Sequence, residues 1–365
     1  MNLTFIDFFA GIGGFRIGLE QAGHKCIGFC EIDKFAVKSY KAMHNTEGEW
    51  YVDDIRKARA NELPRADMWT AGFPCQDISV AGKQLGFKGK RSSLFFTVAG
   101  LVESLEEEDK PSYLVLENVK NLLSINRGLD FAKLLTRLDE IGYDAEWDVL
   151  QSSEIVPQNR ERVYIIGHLR GRSTGKVFPI TNGNGEDIEL QEQGLKQIIG
   201  GSQGNRTHDP RGTSVTLSSR GGGQGAQTGL YAIPVSDVAR EKKVQNGRRC
   251  KEDGEPMLTL TGQDRHGVII QRSRGFNKGG VKDIVPTLTK SRWEDNNHLI
   301  DGFKIRKLTP KECFRLQGFP DEYFEKAAEA NSNNQLYKQA GNSVTVPVVR
   351  KIGEKLKIET QEETP

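Results

Sequence analysis

Short apolar runs alternate with amphipathic stretches along the first 170 residues of this 365-residue chain. Buried strands are predicted over residues 3–8, 25–30, 68–71, 113–116, 145–150 and 163–166. Helices are predicted over residues 15–22, 34–43, 92–106 and 129–141, where apolar side chains recur three and four positions apart. Strands that alternate with helices are typical of βαβ units, so the pattern predicts an α/β domain.

The pattern changes near residue 171. Glycine fills 9 of the 30 positions from 200 to 229, and helical periodicity disappears. Strand-like fragments recur at 214–218, 257–261 and 285–289, which predicts a second, β-rich and loop-rich domain. Beyond it, Pro310 opens a helix, and Asn342 or Ser343 is expected to cap a final apolar helix that returns to the first domain.

Composition favours a reduced, cytosolic protein. The five cysteines are odd in number and scattered, without Cys-x-x-Cys or Cys/His ligand spacing, so we expect free thiols and no structural metal. Asp7 and the glycines after it interrupt the apolar N-terminus, so we expect no signal peptide or membrane span.

Charge is unevenly distributed although the net charge is only +2. Residues 196–310 hold 20 Lys and Arg against 11 Asp and Glu, a net of +9, which leaves 2 − 9 = −7 for the rest. A localised basic face is expected for a protein that binds a phosphate backbone. A solvated surface of mixed charge, or a disordered linker, is the alternative for this arginine-rich segment.

A glycine turn follows the first strand, at Gly11, Gly13 and Gly14. Strand, glycine turn and helix begin many nucleotide-binding units, although a plain tight turn has the same pattern. Glu31 lies 20 positions beyond Gly11 at the end of the second strand, a spacing suited to ribose hydroxyls. Asp54 follows a third strand end, where it either meets an adenine amino group or caps a helix.

Cys75 follows the strand at 68–71 through Gly72-Phe73-Pro74, which predicts an exposed thiol at the edge of the sheet. A buried, inert cysteine is the alternative. The segment 80–91 has three glycines and four basic residues, so it is expected to be a moving loop that contacts phosphates.

Glu117 ends the apolar strand at 113–116, where open α/β sheets bind ligands. It is the best acid/base candidate, with helix capping as the alternative. Arg160 and Arg162 are two positions apart at the start of the next strand and are expected to face the same side. Surface salt bridges are the other interpretation of these arginines.

Taken together, these motifs resemble the DNA (cytosine-5)-methyltransferases of bacterial restriction-modification systems. The resemblance rests on six segments in the family's order: Phe8-Phe9-Ala10-Gly11-Ile12-Gly13-Gly14, Gly72-Phe73-Pro74-Cys75-Gln76, Glu117-Asn118-Val119, Gln158-Asn159-Arg160-Glu161-Arg162, Arg306-Lys307-Leu308-Thr309-Pro310 and Gly341-Asn342-Ser343-Val344. Ile78 departs from the usual Phe, and residues 198–206 with 216–223 are similar to the recognition domain of the member that modifies GCGC.

The resemblance implies a Rossmann-like S-adenosylmethionine-dependent fold with a seven-stranded, mostly parallel sheet, and a smaller target-recognition domain. The catalytic domain is expected at residues 1–172 and 338–365, and the small domain at 173–337, with DNA recognition over about 195–300. The implied reaction is methylation of a cytosine flipped out of double-stranded DNA. A monomer in the bacterial cytoplasm, on the nucleoid and with a possible cognate endonuclease, is expected.

The resemblance also implies roles for individual residues. The catalytic set is Cys75 as the nucleophile, Glu117, Arg160 and Arg162. The S-adenosylmethionine set is Phe9, Gly11, Gly13, Glu31, Ile32, Asp54, Ile55, Pro74, Leu94, Asn342 and Val344. The DNA-binding set is Lys83, Lys90, Arg91, Gln203, Arg206, Thr216, Arg220 and Gly221. An RNA cytosine-5 methyltransferase and a DNA-binding regulator without catalysis are the alternative functions.

Overall fold

The structure is a computed structural model that describes residues 2–73, 94–180 and 308–358 in full. Between them it describes Ser214, Leu217 and the backbone of seven short strands from 197 to 306. No helix in these described segments is long and apolar enough to cross a membrane.

A seven-stranded sheet organises the described N-terminal part of the chain. Its strands are β1 (Thr4–Phe8), β2 (Lys25–Cys30), β3 (Trp50–Val52), β4 (Met68–Gly72), β5 (Tyr113–Val119), β6 (Tyr143–Gln151) and β7 (Glu161–Leu169). The order is β3-β2-β1-β4-β5-β7-β6, and only β7 runs antiparallel to its two neighbours. The expected mostly parallel sheet is therefore confirmed, and the carboxyl ends of β1, β2, β4 and β5 meet at one edge.

Eight α-helices are described. They are α1 (Gly14–Gln21), α2 (Lys34–Met43), α3 (Leu94–Glu103), α4 (Leu129–Glu140), α5 (Pro310–Leu316), α6 (Asp321–Ala330), α7 (Asn333–Asn342) and α8 (Val346–Lys355). Because successive strand side chains alternate between faces, Ile6 packs in the core on the side of α3 and α4, whereas Phe5 packs on the side of α1 and α8. Helices therefore cover both faces of the sheet.

The C-terminal helix α8 returns to the first strands, as expected from the sequence. His24 joins the two ends of the chain, because its Nδ1 accepts from the backbone of Leu3 and its Nε2 lies 2.9 Å from the carbonyl oxygen of Gly353. The start of this helix was predicted incorrectly. Asn342 is the last residue of α7, and Thr345 is the N-cap of α8, because the chain turns through an extended segment between the two helices.

The α5 helix begins as its sequence predicts. Pro310 occupies the first turn, and Thr309 forms a capping box with Glu312, each side chain bonding to the other's backbone amide. Gly318 follows with φ +80, a left-handed conformation in which an added Cβ would lie 2.3 Å from Pro347. The helix therefore ends against the start of α8.

The remaining described strands form two small sheets. They are β8 (Gln197–Ile199), β9 (Thr207–His208), β10 (Leu230–Pro234), β11 (Val268–Gln271), β12 (Gly280–Lys282), β13 (Asn297–Ile300) and β14 (Phe303–Arg306). One sheet has the order β14-β10-β9-β8 and the other β12-β11-β13. Apart from Ser214 and Leu217, the predicted fragments at 214–218, 257–261 and 285–289 lie outside the described residues.

Both segments that flank these small sheets contact the large sheet's body. Thr174 bridges Ile358, and Val177 and Phe178 join the core beside α1 and α8. On the other side, Asn331 donates to the carbonyl of Phe35, and Lys338 pairs with Asp33. The boundaries expected at 172 and 338 therefore lie within packed regions, and the domain division stays a prediction.

Candidate active site

Glu117 and Arg162 form a half-buried ion pair at the carboxyl end of β5. Arg162 Nε lies 3.0 Å from Glu117 Oε1. The Arg162 side chain is 15% exposed and the Glu117 side chain is 11% exposed. The register explains this contact, because Arg162 lies opposite Val119, two residues along β5 from Glu117. Gly72 lies beside Glu117 on β4, where its missing side chain keeps the other carboxylate oxygen accessible. The structure therefore brings together two of the residues in the predicted catalytic set.

Asn118 connects this ion pair to the chain that leads to Cys75. Its side-chain amide donates to the carbonyl oxygen of Phe73 at 3.1 Å, and the residue is 1% exposed. Pro74 and Cys75 lie outside the described residues, but Phe73 directly precedes them. No role for Asn118 was predicted from the sequence, although a buried amide after an apolar strand is a signal of a specific hydrogen bond.

Arg160 faces a different partner from Arg162. Its guanidinium donates to the carbonyl oxygen of Ser343 at 2.7 Å and to that of Gly341 at 3.3 and 3.4 Å. Arg160 is 2% exposed and lies one residue before β7 begins. It therefore fixes the Gly341–Ser343 backbone rather than Glu117, and a direct role for it on a base stays a prediction.

The glycine turn after β1 has an unusual backbone. Phe9 and Gly11 have φ of 57° and 58°, and such a conformation is costly for a residue with a side chain. Glu31 holds the turn, because its carboxylate accepts from the backbone amides of Gly11 at 2.8 Å and Asp33 at 2.7 Å. Burial raises the pKa of Glu31, and these two amides oppose that effect.

Open space borders this turn on the ligand side. A Cβ added to Gly11 would meet no atom within 4 Å, whereas one added to Gly13 would lie 2.4 Å from His44 Nε2. Ile32, next to Glu31, has a large apolar side chain that is 65% exposed. The turn therefore places the exposed Ile32 side chain beside the Glu31 carboxylate, with open space next to Gly11.

Three members of the expected cofactor set have other contacts in the structure. Asp54 caps a 3-10 turn and pairs with Arg56, which lowers the pKa of the Asp54 carboxyl; this is the capping alternative considered from the sequence. Ile55 is 3% exposed and packs in the core with Phe8 and Trp69. Leu94 is the first residue of α3 and is partly buried against the same core.

The Asn342–Val344 segment lies directly against the glycine turn. A Cβ added to Gly14 would lie 2.5 Å from Ser343 Oγ and 2.8 Å from Val344 Cγ2. Val344 is 6% exposed, and Asn342 is exposed. The structure thus brings the glycine turn into contact with the segment that contains Asn342 and Val344, because Gly14 has no side chain between them.

Asp7 is a fully buried carboxyl group below this region. Thr70 donates its hydroxyl to Asp7 Oδ1 at 2.8 Å, while Oδ2 has no hydrogen-bond partner. Burial raises the pKa of Asp7 to about 7, opposed by the Thr70 hydrogen bond and by Arg16. This carboxyl group therefore titrates in the physiological range.

The arrangement suits a ligand with a planar polar edge. A carboxyl group can bind a ring N–H and a guanidinium can bind a carbonyl oxygen, so Glu117 and Arg162 together match the edge of a pyrimidine. Within the described segments, no group of three or more His, Cys, Asp or Glu side chains is placed to hold a metal ion. The loop residues Lys83, Lys90 and Arg91, and the recognition residues Gln203, Arg206, Thr216, Arg220 and Gly221, lie outside the described residues.

Comparison with protein families gives one match over almost the whole chain. The model described as C-5 cytosine-specific DNA methylase matches residues 3–358. The chain is 32% identical to an orphan methyltransferase, M.SPBetaI, of Bacillus phage SPbeta, with 97% of each chain covered. It is 31% identical to the type II methyltransferase M.NlaX of Neisseria lactamica, with 96% of this chain and 95% of the relative covered.

Solved structures share the fold at lower identity. The methyltransferase EhMeth of Entamoeba histolytica superposes with a TM-score of 0.59 at 17% identity, covering 96% of both chains. The Dnmt2 methyltransferase of S. pombe superposes with a TM-score of 0.55 at 19% identity, also covering 96% of both chains. The seven-stranded fold is thus one that methyltransferases use.

Proposed function

The chain belongs to the C-5 cytosine-specific DNA methylases, and we propose from this the role of individual residues in the reaction. It methylates carbon 5 of cytosine in DNA, with S-adenosylmethionine as the methyl donor. A covalent intermediate between a protein side chain and the cytosine ring is the general mechanism of the family. What remains to be assigned is which residues bind, orient and react.

Cys75 is the proposed nucleophile. Its thiolate adds to C6 of the cytosine, which moves electron density toward C5 and makes that carbon able to accept a methyl group. After methylation, loss of the C5 proton drives out the thiolate and restores both the aromatic ring and Cys75. A paired cytosine hides C6, so the base must leave the double helix, at a cost of a few kcal/mol.

Glu117 and Arg162 are proposed to hold the flipped base. Cytosine N3 is an acceptor, so Glu117 carries the proton that it donates to N3, while Arg162 contacts O2. Both contacts stabilise the negative charge that moves into the ring when sulfur adds to C6. The 3.0 Å contact between Glu117 and Arg162 is the observation that carries this proposal, because it fixes the carboxyl group that would meet N3. Asn118 supports it by tying the backbone before Cys75 to the same strand. Arg160 is proposed as a positioning residue for the Gly341–Ser343 segment.

S-adenosylmethionine is proposed to bind beside the glycine turn. The exposed Ile32 offers an apolar surface for the adenine, and Glu31 keeps lone pairs for ribose hydroxyls. The space in front of Gly11 allows the backbone to approach the ligand. When bound, this molecule supplies the methyl group. The wider proposed set is Phe9, Gly11, Gly13, Glu31, Ile32, Asp54, Ile55, Pro74, Leu94, Asn342 and Val344, and the proposed chemistry needs no metal.

Trapping tests this assignment. Duplex DNA of random sequence is made with 5-fluorocytosine, which blocks proton loss and should leave the enzyme covalently attached in the presence of S-adenosylmethionine. Cys75→Ser should form no adduct, and Glu117→Gln should form it about 10²-fold more slowly. Cys313→Ser is the control, because Cys313 is a buried residue of α5 and should not affect trapping. An adduct with the Cys75→Ser protein would disprove the nucleophile.

The DNA-facing part of the proposal extends beyond the described residues. Lys83, Lys90 and Arg91 are proposed to close over the base, and residues within about 195–300 to read a specific sequence, with a GC-containing site as the prediction. Sequencing the methylated cytosines in DNA from cells that express the chain tests it. We further propose a monomer that works on bacterial DNA in the cytoplasm, and a cognate endonuclease as a partner, since several relatives are named type II methyltransferases.

A further inference from the structure

An exposed ion pair borders the half-buried pair of Glu117 and Arg162. Lys120 Nζ lies 2.7 Å from Glu161 Oε1, and the two side chains are 54% and 44% exposed. Lys120 directly follows the end of β5, and Glu161 is the first residue of β7, next to Arg162. The register that pairs Val119 with Arg162 therefore brings both charges to the same end of the site.

This outer pair differs from the inner pair in its exposure to water. Exposed lysine–carboxylate pairs contribute little to stability, because solvent screens the attraction and both side chains lose freedom. A phosphate group is a strong competitor for the same ammonium, since its contact releases counterions from the DNA. Lys120 can therefore leave Glu161 for DNA at little cost to the fold.

Lys120 lies beyond Glu117 along the chain, directly after the end of β5. Three residues of strand, about 10 Å, separate Glu117 from Lys120. A cytosine that reaches Glu117 and Arg162 with its polar edge keeps its sugar and phosphates toward the outside, where Lys120 lies. We propose that Lys120 binds a phosphate of the target strand beside the flipped cytosine, and that Glu161 holds Lys120 in the free enzyme. This inference rests on the proposed binding of the cytosine by Glu117 and Arg162.

Glu161 then has an effect opposite to that of Lys120. Its carboxylate pairs with the Lys120 ammonium before DNA binds. After DNA binds, the carboxylate remains as a negative charge close to a phosphate. Both effects weaken DNA binding, so removal of the Glu161 charge should strengthen it. An ion pair with a purely structural role would respond in the same direction to the loss of either partner.

The test is a salt titration of DNA binding by the full-length protein. Binding of a fluorescently labelled duplex of random sequence is measured by anisotropy from about 50 to about 300 mM salt, the range in which phosphate contacts dominate the salt dependence. Lys120→Gln should bind roughly five- to tenfold more weakly near 100 mM salt, and the slope of log affinity against log salt should become shallower by about 0.9. Glu161→Gln should bind more tightly than the wild type.

Lys110→Gln is the control for a lysine–glutamate pair away from the site. Lys110 also pairs with a glutamate at 2.7 Å, but it precedes β5 and lies at the opposite end of that strand from Lys120. Its substitution should leave the salt dependence unchanged. An unchanged slope for Lys120→Gln, equal weakening by Lys120→Gln and Glu161→Gln, or an equal effect of Lys110→Gln would overturn the phosphate contact.

Trapping with 5-fluorocytosine DNA, performed in parallel, separates this inference from the proposal on which it rests. If the wild type forms the adduct and the Lys120→Gln slope is unchanged, only the phosphate contact is wrong. If the wild type forms no adduct, the proposed binding of the cytosine is wrong, and the inference falls with it.

Discussion

Asn118 donates its side-chain amide to the carbonyl oxygen of Phe73 at 3.1 Å, which joins the end of β5 to the residue two positions before Cys75. Both residues are buried, so the carbonyl would lack this donor if Asn118 were lost. The bond therefore links the position of the proposed nucleophile to that of Glu117.

Asn118→Ala should slow methyl transfer by about 10²-fold, because a shift of the reacting atom of about 1 Å costs that much. Unfolding free energy should fall by about 1–3 kcal/mol, since the Phe73 carbonyl stays buried without this donor. The measurements are single-turnover methylation and urea unfolding. Asn331→Ala is the control, because Asn331 makes a similar bond to the Phe35 carbonyl at 2.9 Å. An equal loss of rate in both variants would remove the link to catalysis.

Ile32→Ala should weaken S-adenosylmethionine binding by about tenfold, since the exposed side chain gains an apolar partner only when the ligand is bound. Stability should change by less than about 0.5 kcal/mol, because Ile32 is 65% exposed. Calorimetric titration with S-adenosylhomocysteine measures the first effect and thermal unfolding the second. Leu129→Ala, at a position that is 55% exposed at the start of α4, should affect neither. Equal affinity in wild type and Ile32→Ala would exclude Ile32 from the pocket.

Gly14→Ala should destabilise the protein by about 1–3 kcal/mol, because the new Cβ would lie 2.5 Å from Ser343 Oγ and force the glycine turn away from the Ser343–Val344 segment. Affinity for S-adenosylmethionine should fall as well. Gly100→Ala is the control: Gly100 lies in α3, and an added Cβ there meets no atom within 4 Å. It should stabilise the protein by about 0.5–1 kcal/mol. Urea unfolding compares the two, and a stable Gly14→Ala variant would contradict the close contact.

Asp7→Asn should change how stability depends on pH. The pKa of Asp7 is raised from 3.8 to about 7 by burial, so between these values the folded state binds a proton that the unfolded state has released. Stability from this group is therefore greatest below about pH 4, is lost as the pH rises toward about 7, and is constant above. The charge of Glu31 raises the pKa of Asp7 further and the charge of Arg16 lowers it. Neither of these two residues is therefore substituted in the proteins that are compared.

The unfolding free energy of Asp7→Asn relative to the wild type should therefore increase with pH, by about 1.4 kcal/mol per unit between about pH 5 and about pH 7. It should level off above about pH 8, because both states of the wild type are then ionised. Urea unfolding of the two proteins across this pH range checks this. Thr70 can still donate to the amide oxygen of the substituted side chain, so its hydrogen bond is retained. A difference that does not depend on pH would show that Asp7 is already ionised in the folded protein at the acidic end of the range.

The spacing of apolar residues predicted those strands and helices whose pattern is regular over their whole length. The strand over 25–30 and the helix over 34–43 were predicted with the bounds that the structure has, because their apolar positions fit one period throughout. The helix predicted over 92–106 ends earlier, at Glu103, where Ser104 donates its hydroxyl to the Gly100 carbonyl. The helices α6 and α7 were not predicted, because their short apolar faces are weak signals.

The site shows where sequence patterns stop being sufficient. The position of Glu117 near the carboxyl end of a strand was predicted, because an apolar run before a carboxylate is a local signal, but β5 continues two residues further, to Val119. The partners of Arg160 were not predicted, since Gly341 and Ser343 lie 181 and 183 positions away along the chain. Asp54 illustrates the same limit, because a helix cap and a cofactor ligand have one sequence pattern. The structure shows the cap and the contact with Arg56, and the cofactor contact stays a prediction.

The join between the two ends of the chain has a consequence for synthesis in the cell. The Gly14 contact with Ser343, the His24 contact with Gly353 and the hydrogen bond from Tyr113 to Lys357 all require residues that the ribosome adds at least 244 positions later. At about 5–20 residues per second, the nascent N-terminal segment waits many seconds for them. During this time the apolar face of α1 has no α8 to cover it, so this face stays exposed to solvent in the emerging chain.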